Sequence, residues 1–122
     1  MEGVFLLKKK YRLRKNKDFQ KVYGEKNSVA AGTIVLYIRN KSMDASPRVG
    51  FSVSKKIGNS VVRNRCRRLM REALRPHLPK IKPGKDYVFI GRHSLAKADF
   101  YQVEKDMINA LRRKGCIMEA LK

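Results

Sequence analysis

Lys55-Lys56-Ile57-Gly58-Asn59-Ser60-Val61-Val62-Arg63-Asn64-Arg65-Cys66-Arg67-Arg68-Leu69-Met70-Arg71-Glu72-Ala73-Leu74-Arg75 is the stretch around which the chain is organised. Gly58, Asn59 and Ser60 supply turn and N-cap chemistry, and positions 61–75 hold neither Gly nor Pro, so a helix of about four turns is predicted there. Pro76 is expected to end it by disfavouring helical geometry at Arg75. At 100° per residue, Val62, Cys66, Leu69 and Ala73 fall in one apolar arc with Met70 at its margin. Asn64, Arg67, Arg68, Arg71 and Arg75 project from the other side, flanked by Arg63 and Arg65.

Six arginines and two lysines meet a single acid, Glu72, between positions 55 and 75. Cations spaced at i and i+4 repel by a few tenths of a kcal/mol per pair, roughly, so such a face loses stability unless an external polyanion meets it. Most charge runs are simply solvated faces, but those usually mix both signs. The whole chain agrees with the polyanion reading: 30 Lys plus Arg against 10 Asp plus Glu give a net charge of +20 on 122 residues. That excess points to a polyphosphate partner and to the electrostatic footprint of a nucleic-acid-binding protein.

With 43% hydrophobic residues, the chain has enough apolar content for one modest core, and residues 1–122 read as a single RNA-binding domain. Cys66 and Cys116 have neither CxxC spacing nor a histidine pair beside them, which argues against a zinc site or a disulfide framework and fits a reducing cytoplasm. No apolar run reaches the length of a membrane span, and positions 4–7 are too short for a signal-peptide core. A membrane partner is therefore not expected.

Positions 1–15 are basic, with Lys8, Lys9, Lys10, Arg12, Arg14 and Lys15 around Tyr11 and Leu13, and read as an extended arm available to order on RNA. Asn16 is placed as the N-cap of a short helix that ends at Gly24 and carries Phe19, Val22 and Tyr23 on one stripe. Positions 33–39 alternate, with Ile34, Leu36 and Ile38 on one face and Val35 and Tyr37 on the other. Positions 48–54 alternate too, with Val49, Phe51 and Val53 opposite Gly50, Ser52 and Ser54. A hairpin is the natural pairing of these two strands, and the small residues of the second leave room above the sheet. Tyr37 joins Phe19 and Tyr23 as a stacking surface only if the first helix packs beside that face; otherwise the stripe is ordinary core.

Pro76, Pro79, Pro83 and Gly84 mark a loop, positions 86–92 a third strand, and Asp99 the cap of a last helix with the stripe Phe100, Val103, Met107 and Leu111 and a stop at Gly115. Positions 116–122 either extend that helix or fray. The expected fold is α/β of the α+β kind: a two-layer sandwich in order α-β-β-α-β-α, with helices on one face of a three- or four-stranded sheet.

Catalytic chemistry is hard to find. His77 and His93 stand apart from each other and from cysteine, no nucleophile-elbow, zinc-protease, dinucleotide or phosphate-loop motif occurs, and the acids are scattered. Asp86 and Asp99 are expected to cap or pair, and Asp18 to meet Lys15 or Lys21. A nuclease acting alone would need clustered carboxylates for its metals.

The run from Ser54 to Arg68 closely resembles the arginine-asparagine-arginine signature of the bacterial ribonuclease P protein component. The resemblance extends over nearly the whole chain, through Lys17-Asp18-Phe19-Gln20-Lys21-Val22-Tyr23, Val35-Leu36-Tyr37, Arg48-Val49-Gly50-Phe51-Ser52-Val53-Ser54 and Asp86-Tyr87-Val88. It implies a small basic α/β sandwich with a left-handed βαβ crossover, partnered by the catalytic ribonuclease P RNA and by precursor tRNA. In that setting the RNA, with bound Mg²⁺, makes the endonucleolytic cut that leaves a 5′-phosphate on the mature tRNA. This chain would hold no catalytic residue, no metal of its own and no small-molecule substrate. The resemblance implies RNA-subunit contacts at Lys55, Lys56, Asn59, Arg63, Asn64, Arg65, Arg67, Arg68 and Arg71. It implies contacts to the single-stranded 5′ leader at Phe19, Tyr23, Tyr37, Ser52 and Ser54, where Tyr23 replaces a common phenylalanine. The alternative reading is a small basic ribosomal protein that binds ribosomal RNA structurally.

Overall fold

The computed structural model describes residues 8–118; the apolar positions 4–7 and the last positions, 119–122, lie outside them. Three helices, α1 (Asn16–Gly24), α2 (Ser60–Leu74) and α3 (Phe100–Arg113), and four strands, β1 (Ser28–Ala31), β2 (Ile34–Asn40), β3 (Arg48–Ser52) and β4 (Lys85–Gly91), form an α+β fold. The strands make one mixed sheet in the order β1-β2-β4-β3.

The expected hairpin between positions 33–39 and 48–54 does not form. Strand β2 pairs antiparallel with β1 and β4, whereas β3 pairs only with β4, in parallel. The reason lies in β4, where Tyr87, Val88 and Phe89 are all fully buried. A strand that is apolar on both faces is stable only between two neighbours with both faces covered, so β4 takes the centre and separates β2 from β3. The hairpin that does form joins β1 to β2 through Gly32 and Thr33. Gly32 has φ +55, and a Cβ there would lie 2.4 Å from Asp106 Oδ2. The buried Asp106 carboxylate accepts hydrogen bonds from Thr33 N at 2.8 Å, Thr33 Oγ1 at 2.6 Å and Gln102 Nε2 at 2.9 Å, tying the hairpin to α3. Strand β1, short and built of Ser, Val and two Ala, carries too little pattern to be read from sequence.

Helices α2 and α3 cover one sheet face as expected, packing Cys66, Met70, Ala73, Val103, Met107 and Leu111 against Leu36, Ile38, Val49 and Phe89. Each large apolar side chain fully buried there contributes roughly 1.5–3 kcal/mol. The buried stripe of α2 runs through Met70 rather than Leu69, which is only half-buried. Helix α1 departs from the one-face expectation: its Val22, with Phe19 and Tyr23, packs on the other sheet face against Leu13, Val88 and Tyr37.

Several local expectations are corrected. Lys15, not Asn16, occupies the N-cap of α1, with no side-chain cap, and Asp18 faces Arg48 at 3.7 Å rather than a lysine. Arg75 is helical (φ −50, ψ −46) despite preceding proline. Pro76 enters a 3₁₀ turn over Arg75–Lys80 near its start, where its missing N–H leaves no bond unmade. Residues 116–118 neither extend α3 nor fray: Ile117 bridges Ile81, and Met118 N donates to Lys80 O at 2.7 Å. The described part of the basic arm lies on the sheet edge, where Leu13 is buried and its N–H donates to Val49 O at 2.9 Å.

Candidate nucleic-acid interface

Asn59 caps α2 by accepting from Val62 N at 3.0 Å. Gly58 allows the tight entry, because a Cβ there would sit 2.8 Å from Val62 Cγ1. From this fixed start the helix sends its polar side outward. A groove of about 560 Å³ is lined by Val61, Asn64, Arg65, Arg67, Arg68 and Arg71. Arg67 donates to Asn64 Oδ1, and Arg65 donates to Ala96 O at 2.9 Å, which sets these guanidiniums without neutralising them.

Of the residues expected to meet the RNA subunit, the groove gathers Asn64, Arg65, Arg67, Arg68 and Arg71. Lys55 and Lys56 are exposed on the turn before the helix, outside the groove. Arg63 folds back to Gly58 O at 3.0 Å, and the Asn59 side-chain oxygen is taken by the cap. Burial, aided by the nearby Arg12 and Arg67, pulls the Arg71 guanidinium below its ordinary range, against a partial offset from Glu72. Crowded cations in a partly desolvated place form a site that an anion stabilises.

The aromatic residues meet on the opposite sheet face. Pairing aligns Tyr37 of β2, Val88 of β4 and Gly50 of β3 in one row. At the glycine end the Phe19 ring lies almost on the backbone, since a Cβ on Gly50 would stand 2.5 Å from Phe19 Cζ. Tyr23 meets Phe19 edge-on at 6.3 Å and Tyr37 at 5.3 Å. The room that the small residues of β3 leave is thus partly filled, at Gly50, by the protein's own ring. Beside it a cleft of about 370 Å³ is lined by residues that include Arg14, Asn16, Phe19, Tyr23, Ser52 and Arg67. Tyr37, expected among the leader contacts, does not line this cleft; it reaches it only through its edge-on contact with Tyr23. Ser54 is not in this cleft; it borders a separate depression with Ile90, Arg92 and His93, and its hydroxyl accepts from Lys56 N at 3.2 Å.

Two basic residues beyond those expected at these sites enter through the arm. Arg12 and Arg14 line a smaller hollow together with Gly50, Arg67 and Arg71. The signal that could have placed them is Leu13, an apolar residue between two arginines, which is buried and pins both.

Among the described residues no three His, Cys, Asp or Glu side chains converge as a metal site. Asp86 is held by Arg48 at 3.0 and 2.8 Å, Asp106 by Thr33 and Gln102, and Asp99 by Gln102 N at 2.9 Å. His77 pairs with Glu104 at 2.7 Å. No helix among the described residues is long and apolar enough to cross a membrane.

Comparison with known proteins places the chain in a family. A family model described as Ribonuclease P matches residues 7–115. The chain is 39% identical to the ribonuclease P protein component of Geobacillus sp. (strain WCH70), over 95% of this chain and all of that protein. It is 44% identical to that of Clostridium botulinum (strain Alaska E43 / Type E3), over 86% and 89%. The ribonuclease P protein of Staphylococcus aureus superposes with a TM-score of 0.78 at 34% identity, covering 88% of this chain and 97% of that one. That of Thermotoga maritima gives 0.74 at 32% identity, over 84% and 96%. These matches set aside the ribosomal-protein alternative, and the chain belongs to the bacterial ribonuclease P protein family.

Proposed function

We propose that this chain is the protein subunit of a ribonuclease P holoenzyme, in which α2 binds the catalytic RNA and the cleft beside α1 binds the 5′ leader of precursor tRNA. The observation that carries the reading is the position of Arg67, which lines both the arginine groove and the aromatic cleft. One guanidinium at the junction of two basic surfaces suits a protein that holds a substrate strand against a larger RNA.

The division of labour follows from the side chains present. Arginines and lysines neutralise phosphates and release counterions, so less Mg²⁺ is needed to hold the two RNAs together. The half-buried rings of Phe19 and Tyr23, which line the cleft, stack on unpaired bases, each worth about 1–3 kcal/mol and tolerant of sequence. Mature tRNA has no leader, so the cleft favours substrate over product. Hydrolysis falls to magnesium held by the RNA, because the carboxylates described above are committed within the protein. Cytoplasmic action fits both RNAs.

The test compares precursor and mature tRNA affinity in the reconstituted holoenzyme. Phe19→Ala is expected to cost about 1–3 kcal/mol of precursor affinity while leaving mature tRNA and the RNA subunit bound as before. Equal loss for precursor and mature tRNA would contradict the leader assignment.

A further inference from the structure

Val61 is 75% exposed and lies within the arginine groove, among Asn64, Arg65, Arg67, Arg68 and Arg71. It adds nothing to the core, where Val62, one residue on, packs against Gly58 instead. Isolated apolar side chains are common on protein surfaces, but this one sits where any docked polyanion must cover it. Phosphates seek the guanidiniums around it; an isopropyl group offers them nothing. What it can cover is the face of a base or a ribose.

Its neighbour one turn along points the same way. Asn64 is at i+3 from Val61, on the same strip of the helix. Its Oδ1 is committed to Arg67, so the amide function left for a ligand is the N–H₂ donor. An apolar contact beside an amide donor, ringed by cations, matches a nucleoside with its flanking phosphates better than it matches phosphates alone. A regular RNA helix does not offer a base face, since its bases are stacked; an unpaired, splayed nucleotide does.

We infer that the Val61–Asn64 strip of α2 receives an unstacked nucleotide of the RNA subunit, with Val61 against the base or ribose and the Asn64 amide donating to it. This rests on the assignment of α2 to the RNA subunit and adds to it a non-electrostatic contact. The arginine face then recognises a locally open RNA structure and not charge alone.

The experiment measures binding of the full-length protein to a ribonuclease P RNA across a salt series for wild type, Val61→Ala, Val61→Thr and Arg68→Ala. Because Val61 is exposed, and alanine is the better helix former, Val61→Ala keeps the fold. Losing the two methyl groups from the contact lowers affinity about five- to tenfold at every salt concentration, with the log–log slope unchanged. Val61→Thr keeps the shape, loses one methyl to a hydroxyl and falls between. Arg68→Ala flattens the slope by about one unit. Val61 variants that bind like wild type while Arg68→Ala flattens the slope would overturn the inference and leave the arginine assignment standing. A Val61→Ala loss accompanied by a flattened slope would overturn it as well, making Val61 a support for the arginines. An unchanged slope in Arg68→Ala would instead remove the assignment of α2 on which the inference rests.

Discussion

Gly50 decides where the Phe19 ring sits. Adding a methyl group 2.5 Å from Phe19 Cζ forces the ring off the sheet, and overpacking of this kind costs about 1–3 kcal/mol. Gly50→Ala is therefore expected to lower the urea midpoint and, by displacing Phe19, to weaken precursor tRNA binding; a variant as stable as wild type would show that the ring moves freely. Arg48 is a second such residue. Its guanidinium is held above its ordinary range chiefly by hydrogen bonds to Asp86, with burial opposing, and Asp86 is itself fully buried. Arg48→Ala leaves that carboxylate with Lys41 at 3.6 Å and is expected to destabilise the fold by about 3 kcal/mol in denaturant melts. Phe19 and Tyr23 were legible because, with the buried Val22, they follow helical spacing; strand alternation put Tyr37 on the same sheet face but could not say that it would stay out of the cleft. The seat beneath Phe19 was not legible, because it depends on which strand lies beside β3. Ser54 shares strand parity with Ser52, yet the turn that follows carries it to a different depression.

At the scale of elements, α2 was the most legible part of the chain. Cap chemistry placed its start at Gly58–Ser60, where Asn59 proves to be the cap, and helical period separated the arginine side from the apolar side, though the buried stripe runs through Met70 and not Leu69. Double replacement Arg67→Ala with Arg71→Ala is expected to weaken RNA-subunit binding and to flatten its log–log salt dependence by roughly one unit per lost phosphate contact. A slope equal to that of wild type in filter binding would reject the phosphate contacts. The sheet was less legible. Each of β2, β3 and β4 announces itself, but alternation says only which residues share a face and nothing of which strand is the neighbour. Sequence adjacency favoured a β2–β3 hairpin; the burial demanded by Tyr87, Val88 and Phe89 overrode it by drawing β4 between them. Helix α1 posed the same problem, since a stripe of three apolar residues does not say which sheet face it will cover.

For the molecule as a whole, the sheet works as a partition. Its α2–α3 side makes the core, its α1 side makes the aromatic cleft, and the parallel β3–β4 pairing brings the arginine helix to the border of both. Arg67 stands on that border, and the buried Leu13 adds Arg12 and Arg14 to it. On the proposed function, this arrangement gathers positive charge and aromatic rings beside one another for RNA to meet, while Asp18, Asp86, Asp99, Asp106 and Glu104 are engaged within the protein. Cleavage of precursor tRNA by the protein alone, by a ribonuclease P RNA alone and by the two together, at low and at high Mg²⁺, tests this most directly. The account predicts that at low Mg²⁺ only the mixture cuts, at the mature 5′ end, while at high Mg²⁺ the RNA also cuts unaided. Cleavage by the protein alone, or a mixture no better than RNA alone at low Mg²⁺, would contradict it.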